Sequence, residues 1–259
     1  MRDILIYTVH KAASMFLYRL AAEASKEYAI NYYSINQNEN FDAIKKSSWM
    51  SFIADNELHG CFGPIRAGEA KPNIPKDLDN WSAVVHLRDP RDVLVSLFFS
   101  HVYSHPKAGG FDASDMQKKR WEEEGIDKFV LSRAPEFIGY YEEFIAKLLS
   151  HERVIFVKYE TMVLDYESWL KQFMKAFAHL PVPGSGLLLS KIGIGSSTHQ
   201  DITNKLYKRH ENDFKLSKED VNKHKRQLLP GDYKRKLKEQ TISQLNDKFG
   251  TILEKLSYE

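Results

Sequence analysis

The stretch that most constrains the fold is VVHLRDPRDVLVSLFFSH, Val84 to His101. Its opening residues, up to Leu87, form the kind of apolar run that becomes a strand buried on both faces. Val93, Leu94, Leu97, Phe98 and Val102 then recur at helical spacing and share one face. Between the two lies RDPRD, four charges around a proline, where the helix begins. A strand that turns directly into a helix is half of a β–α–β unit and points to a parallel sheet. Ligands of such sheets bind outside the C-terminal strand ends, and helix N-termini attract anions. The join is therefore expected to hold an anion.

The same pattern recurs along the chain. Apolar, β-branched runs predict strands at Ile4 to Val9, Ile30 to Ile35, about Leu58 to Phe62, Ala83 to Leu87 and Val154 to Val157. Phe16, Leu17, Leu20, Ala21 and Ala24 form a helical face after the first run. Pro135 to Ser150 and Tyr166 to Leu180 read as two further amphipathic helices. The expected fold is α/β: a mainly parallel sheet flanked by helices, a P-loop-like nucleotide-binding core with lid loops, and one domain spanning 1–259. Two stretches, Pro106 to Glu124 and Pro181 to Asp213, break the alternation and read as lid loops over the binding edge. The tail after Asp232 reads as a long basic helix.

Bulk properties narrow the classes. The net charge of +2 over 259 residues gives no whole-molecule field for nucleic acid. The basic clusters at Lys208 to His210, Lys223 to Arg226 and Lys234 to Lys238 read as solvated helix faces. Cys61 is the lone cysteine, so an intrachain disulfide and a Cys-rich metal site are excluded and a reducing compartment fits best. No apolar run approaches the ~18 to 20 residues of a membrane span. RDILIYTV after Met1 is too short and strand-like for a signal peptide. A cytoplasmic protein with no metal and no membrane span is expected.

YTVHKAASMFLYRL, Tyr7 to Leu20, is a strand, a short turn and a helix. Lys11 lies in the turn and Ser14 at the helix start, the logic of a nucleotide phosphate loop without its GxxxxGK[ST] signature. A surface lysine beside a serine N-cap is the plain alternative. Together with RDPRDVLVS the reading sharpens. Both strand ends offer a cation, then a hydroxyl near a helix N-terminus. Arg88 can grip a phosphate bidentately, and Ser96 follows about two turns into the helix. Two anion sites on neighbouring strands suit a nucleoside with phosphates at both ends. A salt bridge from Arg88 to Asp89 or Asp92 is the structural alternative.

These residues resemble the sulfotransferases that use 3′-phosphoadenosine-5′-phosphosulfate. Their first signature, P-K-S-G-T-T-W, is similar to HKAASMF. Lys11 takes the lysine position, Ser14 the first threonine and Phe16 the aromatic near the adenine. Ala13 replaces the glycine and Met15 the second threonine. The resemblance implies that the loop from Lys11 through Ala12, Ala13, Ser14 and Met15 to Phe16 binds the donor. The second signature, R-N-P-x-D-x-x-x-S, is matched by Arg88, Pro90, Asp92 and Ser96, with Asp89 in place of the asparagine. It implies that Arg88 and Ser96 hold the 3′-phosphate and that Asp92 is structural. RVIFVKYETM resembles the family strand that ends in Tyr-Glu, so Tyr159 is expected to face the adenosine. RQLLPGDYK resembles R-K-G-x-x-G-D-W-K, so Arg226 and the backbone near Gln227 are expected to close over the 3′-phosphate.

The implied reaction moves a sulfuryl group in line from the donor to an acceptor hydroxyl or amine. Lys11 is expected to neutralise the leaving phosphate oxygen. The acceptor must lose a proton, and the family's base follows the third strand. His59 is the histidine of Glu57 to Glu69, and Glu69 is the alternative, since relatives acting on glycans use glutamate. His10, His101 and His105 are further candidates. Arg66 could bind the transferring sulfonate or an acidic acceptor. The acceptor is expected to be a small molecule or a glycan. Tyr103, Phe111, Trp121, Tyr140 and Tyr141 allow an apolar or phenolic one. Two other readings compete: a P-loop nucleotide kinase or phosphotransferase, and a non-catalytic adenosine-bisphosphate-binding protein.

Overall fold

The computed structural model describes residues 2–34, 48–68, 74–75, 78–104, 115–183, 198–214 and 227–258. In chain order the elements are β1 (Asp3–Thr8), α1 (Ser14–Glu27), β2 (Tyr32–Tyr33), α2 (Trp49–Asp55), β3 (Cys61–Arg66) and β4 (Trp81–Leu87). Then come α3 (Pro90–Phe99), α4 (Asp115–Phe144), β5 (Val154–Lys158), α5 (Tyr159–Leu164), α6 (Tyr166–Met174), α7 (His199–His210), α8 (Asp232–Lys236) and α9 (Glu239–Lys255). They pack as two compact units, Met1–Leu87 with Ala146–Phe214, and Arg88–Ile145 with Lys215–Glu259.

The first unit holds the sheet, in the order β2-β3-β1-β4-β5. Every strand pair is parallel. Helices flank the sheet, as the alternation predicts, and the predicted apolar face of α1 is buried from Phe16 to Ala24. β1 lies between β3 and β4, and its crossover through α1 leads to β2 on one side, while β4 lies on the other. That reversal is a topological switch point, the place where open α/β sheets bind ligands. Thr8 ties β1 to β4 there, pairing with His86 and donating its hydroxyl to the His86 carbonyl at 2.9 Å.

β3 differs from its sequence expectation. The run Leu58 to Phe62 stops before Gly63 and Pro64, since proline usually ends a strand. The strand instead begins at Cys61 and continues to Arg66. The extra residue is absorbed by a bulge, because Leu5 pairs with Phe62 and Tyr7 with Ile65.

The second unit is helical. Val93, Leu94, Leu97 and Phe98 of α3 are buried, as are Phe129, Val130, Phe137 and Tyr141 of α4 and Leu245, Phe249 and Ile252 of α9. Three expectations are corrected. Asp115 to Glu124 is helix, not loop, and belongs to α4 before a break at Gly125 (φ 78). Within the other expected loop, His199 to His210 is α7, started by a capping box between Thr198 and Asp201. The tail is two helices separated at Leu237 and Lys238, with its basic residues concentrated in α8. No described helix is long and apolar enough to cross a membrane.

Candidate active site

β1 delivers the first motif. Beyond Thr8 the chain turns through His10, and both Lys11 (φ 62) and Ala13 (φ 60) adopt the left-handed conformation. Each costs a residue with a side chain about 1–3 kcal/mol, a strain that concentrates at ligand sites. Ala13 is the N-cap of α1 and has no side-chain oxygen to satisfy its first turn. Ser14 is the first helical residue and is buried, so the serine N-cap alternative does not hold. The Phe16 and Leu17 amides both reach the Ala13 carbonyl, at 2.9 and 3.2 Å. A left-handed loop running into an uncapped helix presents its remaining N–H groups to an anion.

One further cation, Arg66, stands beside this loop. Arg66 ends β3 opposite Thr8, where the Ala67 amide bonds the Thr8 carbonyl at 3.0 Å. Burial lowers the Arg66 pKa, and the nearby Tyr18 hydroxyl pulls the other way. Burial, then Arg66, then Lys11 press the His10 imidazole down to about 4, which favours its neutral form and makes it a weak base. His86, buried one strand away against Trp169 and Tyr159, is pushed down to about 3 by burial.

The join itself forms a second constellation. Pro90 is at the first turn of α3, and the Asp89 side chain caps the Arg91 amide. The same carboxylate grips the buried Arg91 guanidinium through both oxygens, at 3.0 and 2.7 Å. Arg91 also bonds Asn246 at 2.6 Å and lies 4.1 Å over the Tyr233 ring. Arg91 is thus a structural arginine that the sequence reading passed over. Arg88 is 3% exposed, its carbonyl accepts from the Tyr141 hydroxyl, and its guanidinium stands 3.7 Å from Asp92. Asp92 takes the Gly231 amide on one oxygen at 2.8 Å and the Tyr233 amide on the other at 2.9 Å. The second and fourth sequence motifs therefore meet on one buried carboxylate. Burial raises the Asp92 pKa, although Arg88 and the two amides pull it down.

The remaining predicted residues are distributed as follows. Tyr159 is buried at the start of α5, just beyond β5. Ser96 is half-buried in α3. The Gln227 side chain accepts the Leu229 amide at 3.2 Å. Ala12 is fully buried and Met15 is 56% exposed. Phe16 is enclosed by Tyr166, Trp169, His210 and Phe214, so most of its ring area is already used in packing. Glu69, His105, Phe111 and Arg226 lie outside the described residues.

His59 is not brought to this edge. It precedes β3, its side chain is 81% exposed, and its Nδ1 bonds Asp3 at the start of β1, 2.9 Å away. In a parallel sheet both positions belong to the N-terminal edge, opposite the Lys11 loop. β3 starts and ends later than its apolar run suggests, which leaves His59 ahead of the strand. His59→Ala should therefore change turnover by less than about 2-fold, as expected of an exposed side chain remote from the chemistry. Steady-state kinetics beside Glu69→Gln and His10→Ala would check this.

The sulfotransferase domain model matches residues 2–257. The chain belongs to the sulfotransferase domain family, the one its motifs resemble. No curated protein matches it. Among solved structures it is similar to mouse sulfotransferase SULT7A1 complexed with PAP, at 12% identity, covering 97% of this chain and 84% of that one, TM-score 0.47. It is also similar to retinol dehydratase with retinol and PAP, at 13% identity, 98% and 82% coverage and TM-score 0.48.

Proposed function

We propose that the chain transfers a sulfuryl group from 3′-phosphoadenosine-5′-phosphosulfate to an acceptor hydroxyl or amine, with 1–259 acting as one sulfotransferase domain. The observation that carries this reading is the Lys11–Ser14 loop. It combines two left-handed residues, one of them Lys11, an uncapped helix of 14 residues and the nearby Arg66 at the switch point of the sheet. Those groups suit an anionic phosphosulfate.

In this reading the backbone from Ala12 to Met15 holds the 5′-phosphate. Lys11 neutralises the bridging oxygen as its bond to sulfur breaks and the acceptor–sulfur bond forms. Arg66 steadies the transferred sulfonate. Arg88 and Ser96 take the 3′-phosphate, Arg226 and Gln227 close over it, and Tyr159 and Phe16 border the adenosine. The acceptor proton passes to a base, for which His10 and Glu69 are the candidates. His10 lies two residues past Thr8, and Glu69 three past Arg66, which pairs with Thr8.

The test is a transfer assay with radiolabelled donor over small-molecule and glycan acceptors, with and without EDTA. Labelled product that survives EDTA is expected. Transfer that requires added Mg²⁺ with ATP would favour the phosphotransferase reading. Donor binding without transfer to any acceptor would leave a nucleotide-binding protein.

A further inference from the structure

α1 and α7 are joined by a buried histidine held between two carboxylates. The His210 side chain is 4% exposed. Its Nε2 lies 2.9 Å from Glu23 of α1, and its Nδ1 lies 3.0 Å from Asp213 just past α7. Both carboxylates carry a second cation: Arg209 bonds Glu23 at 2.7 Å and Arg19 bonds Asp213. Glu27 on α1 receives Lys205 at 2.7 Å and stands 3.8 Å from Arg209. From α6, Tyr166 senses Asp213, Arg19, Glu23 and Tyr207, and burial holds its hydroxyl protonated. The His210 ring meets Phe16 edge-on, with centroids 5.4 Å apart. Phe16 is in the first turn of α1, the helix whose N-terminus forms the anion cradle.

A neutral imidazole has one N–H and can donate to only one of two carboxylates. Two carboxylates on opposite ring nitrogens are both satisfied only by the imidazolium. Burial raises the Glu23 carboxyl, but the hydrogen bonds from Arg209 and His210 outweigh it and leave its pKa below the ordinary value.

We propose that His210 is a positioning residue: as an imidazolium it clamps α7 to α1, fixes Phe16 and the start of α1, and so strengthens donor binding. This rests on the donor reading above. The sign follows from the contacts. The clamp is complete while His210 is protonated and both carboxylates are ionised. Raising the pH removes the proton, one bond is lost, and a carboxylate is left facing a ring nitrogen lone pair. Donor affinity then falls relative to a protein without the clamp.

Calorimetry of adenosine 3′,5′-bisphosphate with the wild type and His210→Gln, at about pH 6 and about pH 8.5, tests this. The ligand's own titration cancels in the ratio of the two affinities. The wild type is expected to bind ~10-fold tighter than the variant at the lower pH, the scale of one charge-assisted bond. The two should converge at the higher pH. A ratio that does not change with pH overturns the proposal. A second measurement needs neither the variant nor a ligand: ¹⁵N NMR of the His210 ring in the free protein at about pH 6. Both ring nitrogens are expected to carry protons, and a neutral tautomer overturns the clamp. If the clamp is seen by NMR but the bisphosphate fails to bind at any pH, the donor reading fails, and with it the role of His210 in donor binding.

Discussion

Lys11→Ala is expected to lower kcat by about 10²- to 10³-fold while weakening donor binding by less than about 10-fold. The split follows from where charge develops. The phosphosulfate is already anionic when bound, but its bridging oxygen gains negative charge only as the S–O bond breaks. A cation at that oxygen contributes more in the transition state than in the bound complex, so its loss appears mainly in kcat. The backbone argues for the same split. Lys11 is held in the left-handed region at φ 62, where alanine and lysine carry similar strain, so the cradle should survive the substitution. A loss confined to donor KM would contradict this role, as would an unchanged rate.

Asp92→Ala should destabilise the protein by about 3–5 kcal/mol, the cost of removing one partner of a buried charged group. Asp92 is fully buried, and its two oxygens receive the Gly231 and Tyr233 amides while Arg88 faces it. Alanine leaves two amides without their acceptor and a buried guanidinium without its countercharge. Gly231 adopts φ 79 at the start of α8, so the turn that presents those amides would lose its tie to α3. Asp92→Asn should recover part of the loss, because its carbonyl oxygen satisfies one amide while its NH₂ opposes the other. Urea unfolding followed by circular dichroism measures this. A change under about 1 kcal/mol for Asp92→Ala would mean that the turn is held by other contacts.

The parts legible in the sequence were those where periodicity and capping agree. RDPRD placed Pro90 in the first turn of α3, and α3 buries the predicted apolar face. The β–α alternation yielded the parallel sheet because strands buried on both faces are almost wholly apolar. Asp115 to Glu124 was missed because it is mostly charged and polar, with Trp121, packed on His101 and Phe129, as its one aromatic anchor. Pairs such as Arg120–Glu124 at 3.0 Å and Lys128–Glu124 at 3.3 Å support it alongside that single anchor, in place of a periodic apolar face. α7 could have been found from Thr198 and Asp201, a capping box spaced as helix starts require. His59 was read into the third strand because the apolar run begins at Leu58, whereas β3 starts only at Cys61. Gly63 and Pro64 hid the second half of β3, and the true strand end carries the edge to Arg66. The role of Arg91 was hidden for another reason: its partners Asn246 and Tyr233 are far away in sequence.

The central claim is that the join after β4 recognises a 3′-phosphate. Calorimetric binding of adenosine 3′,5′-bisphosphate and 5′-AMP, to the wild type and Arg88→Ala, tests it most directly. The bisphosphate should bind the wild type at least ~10-fold tighter than 5′-AMP, as a buried charge-assisted contact worth about 1.5–3 kcal/mol requires. Arg88→Ala should erase most of that difference and leave 5′-AMP nearly unchanged. Equal affinity for the two ligands in the wild type, or an equal loss for both in the variant, would contradict the account.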